Sequence, residues 1–276
     1  SIKSNYAQTK TLTVKSDRPF FLIMGVIAFT YVIFLLVLIL ADMSYTSPNE
    51  IINALKSEEI QYSIKLSLIS CTITMILSLI VAIPLGYFMA RYEFRFKKFI
   101  DAVLDIPIIL PPLVIGLSLL ILFNQTPLKG FLDLFGISVS FTVVSVIIAQ
   151  FTVACAFAIR TMYITFLQIN NRQEQVALTL GCNQRQSFFY VLLPQAKNGI
   201  LTAGALAWAR ALGEFGPLLI FSGSTRMRTE VLSVSVYLEI TTGKIEAAVA
   251  VSIIMIISGF AVLMIVRMFG DSKKML

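Results

Sequence analysis

The sequence predicts an all-α integral membrane protein with about six transmembrane helices. Of its 276 residues, 57% are hydrophobic and 13% are charged, whereas soluble domains carry about 25% charged residues. The mean hydropathy is +0.86. A soluble protein of this length has too little interior to hide so much apolar surface, but a bilayer accepts apolar side chains on the outside.

Six apolar stretches have the length that a membrane helix needs, about 20 residues for ~30 Å of hydrocarbon. The predicted spans cover residues 20–41, 66–90, 106–123, 139–159, 199–222 and 247–266. They form a single transmembrane domain, 20–268, between a basic tail at 1–19 and a short tail at 269–276. The first stretch is too long for a signal-peptide core, so we expect a retained helix.

Lys and Arg residues are unevenly divided between alternate loops. Fifteen fall on the side that holds both termini and six on the other, with Arg210 inside a span. Because cytoplasmic loops carry the excess of basic residues, both termini are predicted to be cytoplasmic. The net charge of +7 then reflects topology, and no nucleic-acid partner is predicted.

The residue inventory excludes most catalytic chemistry. No histidine occurs, which removes His-based metal sites and Ser-His or Cys-His nucleophiles. The three cysteines are scattered, without a C-x-x-C spacing, and favour neither a disulfide framework nor a zinc site. The chain also has no G-x-x-x-x-G-K-[ST] phosphate loop. It is predicted to be no enzyme and to bind no metal or cofactor.

The third and fifth spans depart from a plain apolar helix. Pro107, Pro111 and Pro112 interrupt the third, so we predict a kinked or partly unwound helix. Such backbone is tolerated in a membrane only against protein or a water-lined cavity. It is therefore either part of a translocation path or a packing kink. In the fifth, Arg210 and Glu214 lie four residues apart and predict an ion pair, either structural or part of a gate.

Small residues also mark the fifth span. Ala203, Ala207 and Ala211 recur every four residues and share one helix face, which predicts close packing against another backbone.

A long cytoplasmic segment joins the fourth and fifth spans. Asn171, followed three residues later by Glu174, predicts a helix N-cap, and Gly181 suits the left-handed residue that ends a helix. A short exposed helix is therefore predicted, followed by a polar turn and an apolar run that ends at Pro194. Connections of this length are uncommon in helix bundles, which indicates that the segment has a function beyond joining two helices.

The run 175–181 reads Gln-Val-Ala-Leu-Thr-Leu-Gly, and Val-Leu-Leu-Pro follows after nine residues at 191–194. It resembles the EAA loop of ABC importer permeases, whose pattern is EAA, three residues, Gly, nine residues, then I-x-L-P. The spacing matches throughout, with identity at Ala177, Gly181, Leu193 and Pro194 and a conservative match at Val191. Gln175 and Val176 depart from the family's Glu and Ala, and an amide cannot form the ion pair that a carboxylate forms.

The resemblance implies the fold of a type I ABC importer permease, with a coupling helix in loop 170–194 that docks on a cytoplasmic ATPase subunit. The implied contact residues are Glu174, Gln175, Val176, Ala177, Leu178, Leu180 and Gly181, supported by Val191, Leu193 and Pro194. ATP and Mg²⁺ would bind to that partner. Also implied are two ATPase subunits, a second copy of this chain with the path at the interface, an extracytoplasmic binding protein and a prokaryotic plasma membrane.

Residues 209–216 read Ala-Arg-Ala-Leu-Gly-Glu-Phe-Gly and resemble the ARALGEFG signature of permeases that move sulfate, molybdate and tungstate. The resemblance implies an oxyanion cargo, molybdate or tungstate first and sulfate second. The residues expected along the path or gate are Pro111 of the interrupted third span, the pair Arg210 and Glu214, and the hydroxyls Ser118 and Ser222. Hydroxyls are included because anions favour concentrated donors and positive potential.

Two further interpretations stay open. The outer-loop residues Arg226 and Arg228 either guide the anion or belong to a solvated loop or a docking contact for the binding protein. The chain as a whole is alternatively an ion-coupled secondary transporter that works without an ATPase partner. Broken spans and an intramembrane Arg-Glu pair are common to both transporter classes.

Overall fold

The computed structural model describes residues 18–136 and 138–271, and every regular element in these ranges is a helix. The α-helices are α1 (Arg18–Tyr45), α2 (Pro48–Lys56), α3 (Glu58–Arg91), α4 (Lys97–Ile109), α5 (Pro112–Gln125), α6 (Pro127–Leu134), α7 (Val143–Gln168), α8 (Asn171–Thr179), α9 (Gln184–Ser187), α10 (Leu193–Gln195), α11 (Lys197–Leu212), α12 (Leu232–Thr241) and α13 (Ile245–Asp271). Two π-helical turns occupy Phe188–Leu192 and Leu218–Ser222. Residues 1–17 of the predicted basic tail and 272–276 of the predicted end tail lie outside the described residues.

Helix α1 forms one unit of the chain, and a second unit begins at Thr46. Four helical segments are long and apolar enough to cross a membrane: Phe20–Tyr45, Glu58–Arg91, Val143–Gln168 and Ile245–Val266. Helices α4 and α5 supply a fifth if the pair counts as one span, although their axes differ by 109°. The predicted class, an all-helical membrane protein, is thereby confirmed.

The break between α4 and α5 falls where the prolines predict it. Leu110 and Pro111 both adopt extended backbone, as residues before a proline prefer. Pro112 then opens α5 at a position where its missing N–H costs nothing. The predicted span 106–123 therefore begins inside α4. With 14 residues, α5 is about 21 Å long and does not cross ~30 Å of hydrocarbon alone.

The predicted fifth span, 199–222, is not one helix, and the structure corrects that prediction. Helix α11 ends at Leu212, residues 213–215 are not helical, and a short helical stretch follows from 216 to 222. Gly213 has low helix propensity, and Pro217 has no N–H to donate to the carbonyl of residue 213. Two of the six predicted spans are therefore broken helices.

Helices α3, α7 and α11 pack together at the centre of the second unit. A Cβ added to Gly86 of α3 would lie 2.8 Å from Cβ of Met162 in α7, so these two backbones are in close contact. Ala203, Ala207 and Ala211 of α11 are buried, which confirms the predicted packing face. Small residues at these contacts allow the close approach that holds helices together in a membrane.

Candidate functional site

Helix α8 occupies the centre of the 170–194 loop and has a defined cap at each end. The Asn170 side chain accepts a hydrogen bond from the Arg172 N–H (3.0 Å), so the N-cap is Asn170 and the predicted Asn171 is the first helical residue. At the other end Gly181 has φ +93°. The Cys182 N–H donates to the Ala177 carbonyl (3.1 Å), which completes a Schellman motif and confirms the predicted glycine stop.

The Glu174 side chain points inward, against the C-terminal end of α3. Its Oε1 accepts a hydrogen bond from the Tyr87 hydroxyl (2.6 Å), and its Oε2 lies 3.3 Å from Nε of Arg91. Arg91 also donates through Nη2 to the Ile169 carbonyl (3.0 Å). The Arg91 and Glu174 side chains are 9% and 11% exposed. Glu174 is among the predicted docking residues, and its carboxylate binds α3 in this structure.

Ala177 is also buried, so its small size lets α8 lie close to its own chain and does not serve an external contact. The other side of the helix is open, with Val176 56% and Leu180 80% exposed. We call the exposed members of the predicted contact residues the docking face of α8: Gln175, Val176, Leu178, Leu180 and Gly181. Helix α8 therefore has one anchored side and one free side.

Tyr87 joins the two ends of the loop. Its ring packs edge-on against Phe166 of α7 (5.6 Å between ring centres) and against Phe188 beyond α8 (4.8 Å). Its hydroxyl holds Glu174 between them. Contacts with α3 consequently hold the chain in place on both sides of α8 and, through Glu174, within α8 itself.

The 191–194 motif lies where the loop returns to α11. Asn183 and Gln186 form a capping box that opens α9, and the Leu193 N–H then bonds to the carbonyl of Phe188, five residues back. Pro194 has no N–H, and in an α-helix its ring would meet the carbonyl of residue 190. The wider π turn accommodates it. Val191 and Leu193 are half-buried and Pro194 is exposed. The 191–194 motif therefore determines how the chain bends before α11.

Arg160 of α7 holds α4, a contact that sequence reasoning missed. Its Nη1 donates to Asp101 (3.0 Å), and its Nε (3.1 Å) and Nη2 donate to the two carboxylate oxygens of Asp105. Asp101 and Asp105 are four residues apart and share a face of α4. The only signal in the sequence was this i,i+4 pair of carboxylates at the edge of an apolar stretch.

The two broken helices cross with their backbones in contact. A Cβ added to Gly116 of α5 would lie 2.8 Å from Cα of Pro217, and one added to Gly216 would lie 2.7 Å from Cβ of Pro112. Neither glycine has room for a side chain. Pro111, exposed at the end of α4, begins this crossing.

Arg210 and Glu214 form the predicted ion pair, with Nη1 2.8 Å from Oε2. The carboxylate is 1% exposed and the guanidinium side chain 29% exposed. The guanidinium carbon also lies 5.7 Å from the ring centre of Phe157 in α7. The pair thus has a buried acidic end and an accessible basic end.

The hydroxyls predicted along the path have different environments. Ser118 is exposed on α5, whereas Ser222 is buried and its Oγ has no hydrogen-bond partner within the described ranges. Sequence reasoning also missed Gln150, a buried amide that donates to the carbonyl of Ala211 (3.2 Å) at the end of α11. A single amide within the apolar run of α7 was the available signal.

The predicted outer loop does not present two free arginines. Arg226 bonds to Glu59 at the start of α3 and to Glu239 of α12 (2.8 Å for the latter). Its charge is therefore offset by two carboxylates, and its side chain is 28% exposed. Arg228 is exposed, and its carbonyl accepts a hydrogen bond from Tyr62.

A buried carboxylate completes this loop. Glu230 accepts hydrogen bonds from the Ser235 hydroxyl (2.9 Å) and from the Met227 N–H (3.4 Å). Burial raises the pKa of the Glu230 carboxyl above its ordinary value, although Ser235 and Arg226 act in the opposite direction. The loop is a structured cap over α3 and α12.

Comparison with known proteins places these features in a family. Residues 82–274 match the family described as "Binding-protein-dependent transport system inner membrane component". The chain is 31% identical to the probable transport system permease protein NifC of Clostridium pasteurianum, over 91% of this chain and 87% of that protein. It is 28% identical to the molybdate/tungstate transport system permease protein WtpB of Methanocaldococcus jannaschii, over 89% of this chain and 95% of that protein.

A solved structure has the same fold. The crystal structure of a bacterial alginate ABC transporter in complex with alginate pentasaccharide-bound periplasmic protein contains a chain that matches with a TM-score of 0.72. The match covers 92% of this chain and 96% of that one at 14% identity. The 170–194 loop and both broken helices lie inside the family match. The chain therefore belongs to the binding-protein-dependent transport system inner membrane components, the permease subunits of ABC importers.

Proposed function

We propose that this permease subunit serves an ATP-driven importer of a tetrahedral oxyanion, molybdate or tungstate first and sulfate second. The similarity to a molybdate/tungstate permease and the ARALGEFG run at 209–216 support the cargo. An extracytoplasmic binding protein delivers the ion. The subunit lies in a prokaryotic plasma membrane with both termini in the cytoplasm, in keeping with its Lys and Arg distribution.

The observation that carries the energy-coupling role is the free side of α8. An 80%-exposed Leu180 beside a 56%-exposed Val176 is an apolar surface of the kind that a protein partner covers. We assign the docking face to a cytoplasmic ATPase subunit that binds ATP and Mg²⁺. Two such subunits and two copies of this chain make up the transporter. Because Glu174 binds Tyr87 and Arg91, force on α8 reaches α3 directly.

The crossing of the broken helices is proposed as the wall of the translocation path between the two copies. Irregular backbone at 110–111 and 213–215 requires protein or water around it. Pro111, Ser118, Arg210, Glu214 and Ser222 all belong to these two segments. Their movement past one another at Gly116 and Gly216 would open or close the path.

Reconstitution tests the transport function. Proteoliposomes that contain this chain with its co-expressed ATPase subunits should take up radiolabelled molybdate only when binding protein is outside and ATP is present at the ATPase side. Unlabelled tungstate and sulfate compete in the order of the binding protein's preference. Uptake driven by an ion gradient in liposomes that contain this chain alone would instead establish a secondary transporter.

Substitutions on the two sides of α8 test the coupling role. Leu180→Asp should leave the permease as stable as wild type, because residue 180 is exposed, and should reduce co-purification of the ATPase subunit at least tenfold. Ala177→Asp forces a carboxylate into a buried position and should destabilise the loop itself by about 3 kcal/mol. Pull-down and thermal unfolding of the purified permease separate the two effects. Unchanged co-purification of Leu180→Asp would remove α8 as the docking helix.

A further inference from the structure

Arg210 lies inside the membrane-spanning part of the chain. Its guanidinium carbon is 5.7 Å from the ring centre of Phe157, a residue near the middle of the 26-residue helix α7. The predicted fourth span, 139–159, ends two residues after Phe157 on the cytoplasmic side. The positive charge of Arg210 therefore lies inside the hydrocarbon region, in its cytoplasmic half.

The Arg210 guanidinium has hydrogen-bond donors that are not used within the chain. An arginine side chain carries five N–H donors, and the ion pair with Glu214 involves Nη1. Within residues 18–136 and 138–271 the remaining nitrogens of Arg210 form no hydrogen bond, whereas Arg160 uses three of its nitrogens on Asp101 and Asp105. Glu214 is buried, so the unused donors of Arg210 are on the accessible side of the pair.

Lipid cannot surround such a group. An arginine within the hydrocarbon region with unpaired donors is costly, and arginines in membrane proteins face the protein interior or a water-filled cavity. The non-helical backbone at 213–215, next to Arg210, has the same requirement. The accessible side of Arg210 therefore borders water or a second protein chain.

We propose that Arg210 lines a water-filled cavity within the membrane and binds the transported oxyanion directly through its guanidinium. This inference rests on the proposed function and names the residue that contacts the cargo. A planar guanidinium presents parallel N–H groups that match two oxygens of a tetrahedral anion. It keeps its charge at every physiological pH.

Glu214 has a definite role in this arrangement. A lone arginine in a low-dielectric cavity would hold a dianion tightly, but conduction requires binding that is weak enough for release. The buried carboxylate offsets one positive charge and fixes the guanidinium from behind. The oxyanion thereby meets a directional hydrogen-bond donor with little net charge, and it can leave towards the cytoplasm.

Transport by the complete complex tests the contact. In proteoliposomes that contain the ATPase subunits and binding protein, Arg210→Gln should lower ATP-driven molybdate uptake at least tenfold. Binding-protein-stimulated ATP hydrolysis should stay within twofold of wild type, and Arg210→Lys should give intermediate uptake. Lys129→Gln, which removes an exposed charge on α6, is the matched control with normal uptake. Unchanged uptake in Arg210→Gln, or a parallel fall in uptake and ATP hydrolysis, would overturn the proposal.

Labelling tests the cavity independently of cargo. In a Cys182→Ala background, which removes the partly exposed native thiol, Arg210→Cys in the assembled complex should react with a charged methanethiosulfonate reagent. Ile257→Cys, at a more exposed, apolar position in the middle of α13 (61% exposed), should react at least tenfold more slowly. An unreactive Arg210→Cys would refute a water-filled cavity and leave a contact with the second copy. If labelling occurs but wild type takes up no oxyanion, the proposed cargo fails and the cavity stands.

Discussion

Arg91 and Glu174 join two elements that are far apart in the sequence, whereas Arg210 and Glu214 lie four residues apart in one segment. Both side chains of the first pair are about a tenth exposed, and Tyr87 and the Ile169 carbonyl take up further hydrogen bonds. In the second pair only the carboxylate is buried. The first pair is enclosed by the chain, although Nε of Arg91 and Oε2 of Glu174 are in contact without a hydrogen bond, whereas the second pair leaves its guanidinium accessible to a solute.

This difference separates a structural ion pair from a functional one. Burial makes any unpaired charge expensive, so both charges of a buried pair depend on each other. A guanidinium that is accessible within a membrane and leaves donors unused must find water or a ligand. The exposure of the unused donors is therefore more informative than the presence of the pair.

The largest effect is expected from Glu174→Ala. Removal of this carboxylate leaves Arg91 buried without its ionic partner, which should destabilise the permease by about 3 kcal/mol and release α8 from α3. Unfolding of the purified protein measures the loss, with Gln175→Ala on the exposed side as the control. Equal stability of the two variants would show that the pair does not anchor the loop.

A smaller effect is expected from Gly116→Ala. The added methyl would lie 2.8 Å from Cα of Pro217, and overpacking of this kind costs about 1–3 kcal/mol. Gly130→Ala is the matched control, because nothing lies within 4 Å of its added Cβ and alanine favours the helix there. Thermal unfolding of both variants checks this. Equal or greater stability of Gly116→Ala relative to wild type would mean that the crossing is loose.

The smallest effect is expected from Glu214→Ala. The remaining Arg210 is partly exposed and can be hydrated, so the cost should be about 1 kcal/mol, as for an accessible ion pair. The same unfolding measurement compares it with Glu174→Ala. If both substitutions cost the same, Arg210 lies in a dry environment and the water-filled cavity is refuted.

Local features of the site were predictable from the sequence. The glycine stop at Gly181, the break at Pro111 and the alanine face of α11 follow from backbone chemistry within a few residues. The N-cap was predicted one residue late, because Asn170 and Asn171 are chemically equivalent and only the backbone angles distinguish them.

Contacts between distant residues were not predictable. No pattern in the sequence pairs Glu174 with Arg91, or Arg226 with Glu59 and Glu239, because helix packing alone brings them together. Helix packing also determines the inward position of Ala177, so the sequence did not predict it. The break in the predicted fifth span was missed because the segment stays largely apolar across Gly213, although the helical conformation is interrupted there.

The ion pairs between Arg160 and α4 have a consequence for how movement passes through the protein. Helix α7 leads into α8 across two residues, and it holds α4 by two carboxylates. If α7 moves together with α8, we expect the contacts of Arg160 to carry α4 along. The extended residues Leu110 and Pro111 lie between α4 and α5, so α5 would then rotate relative to α4, about its close contact at Gly116.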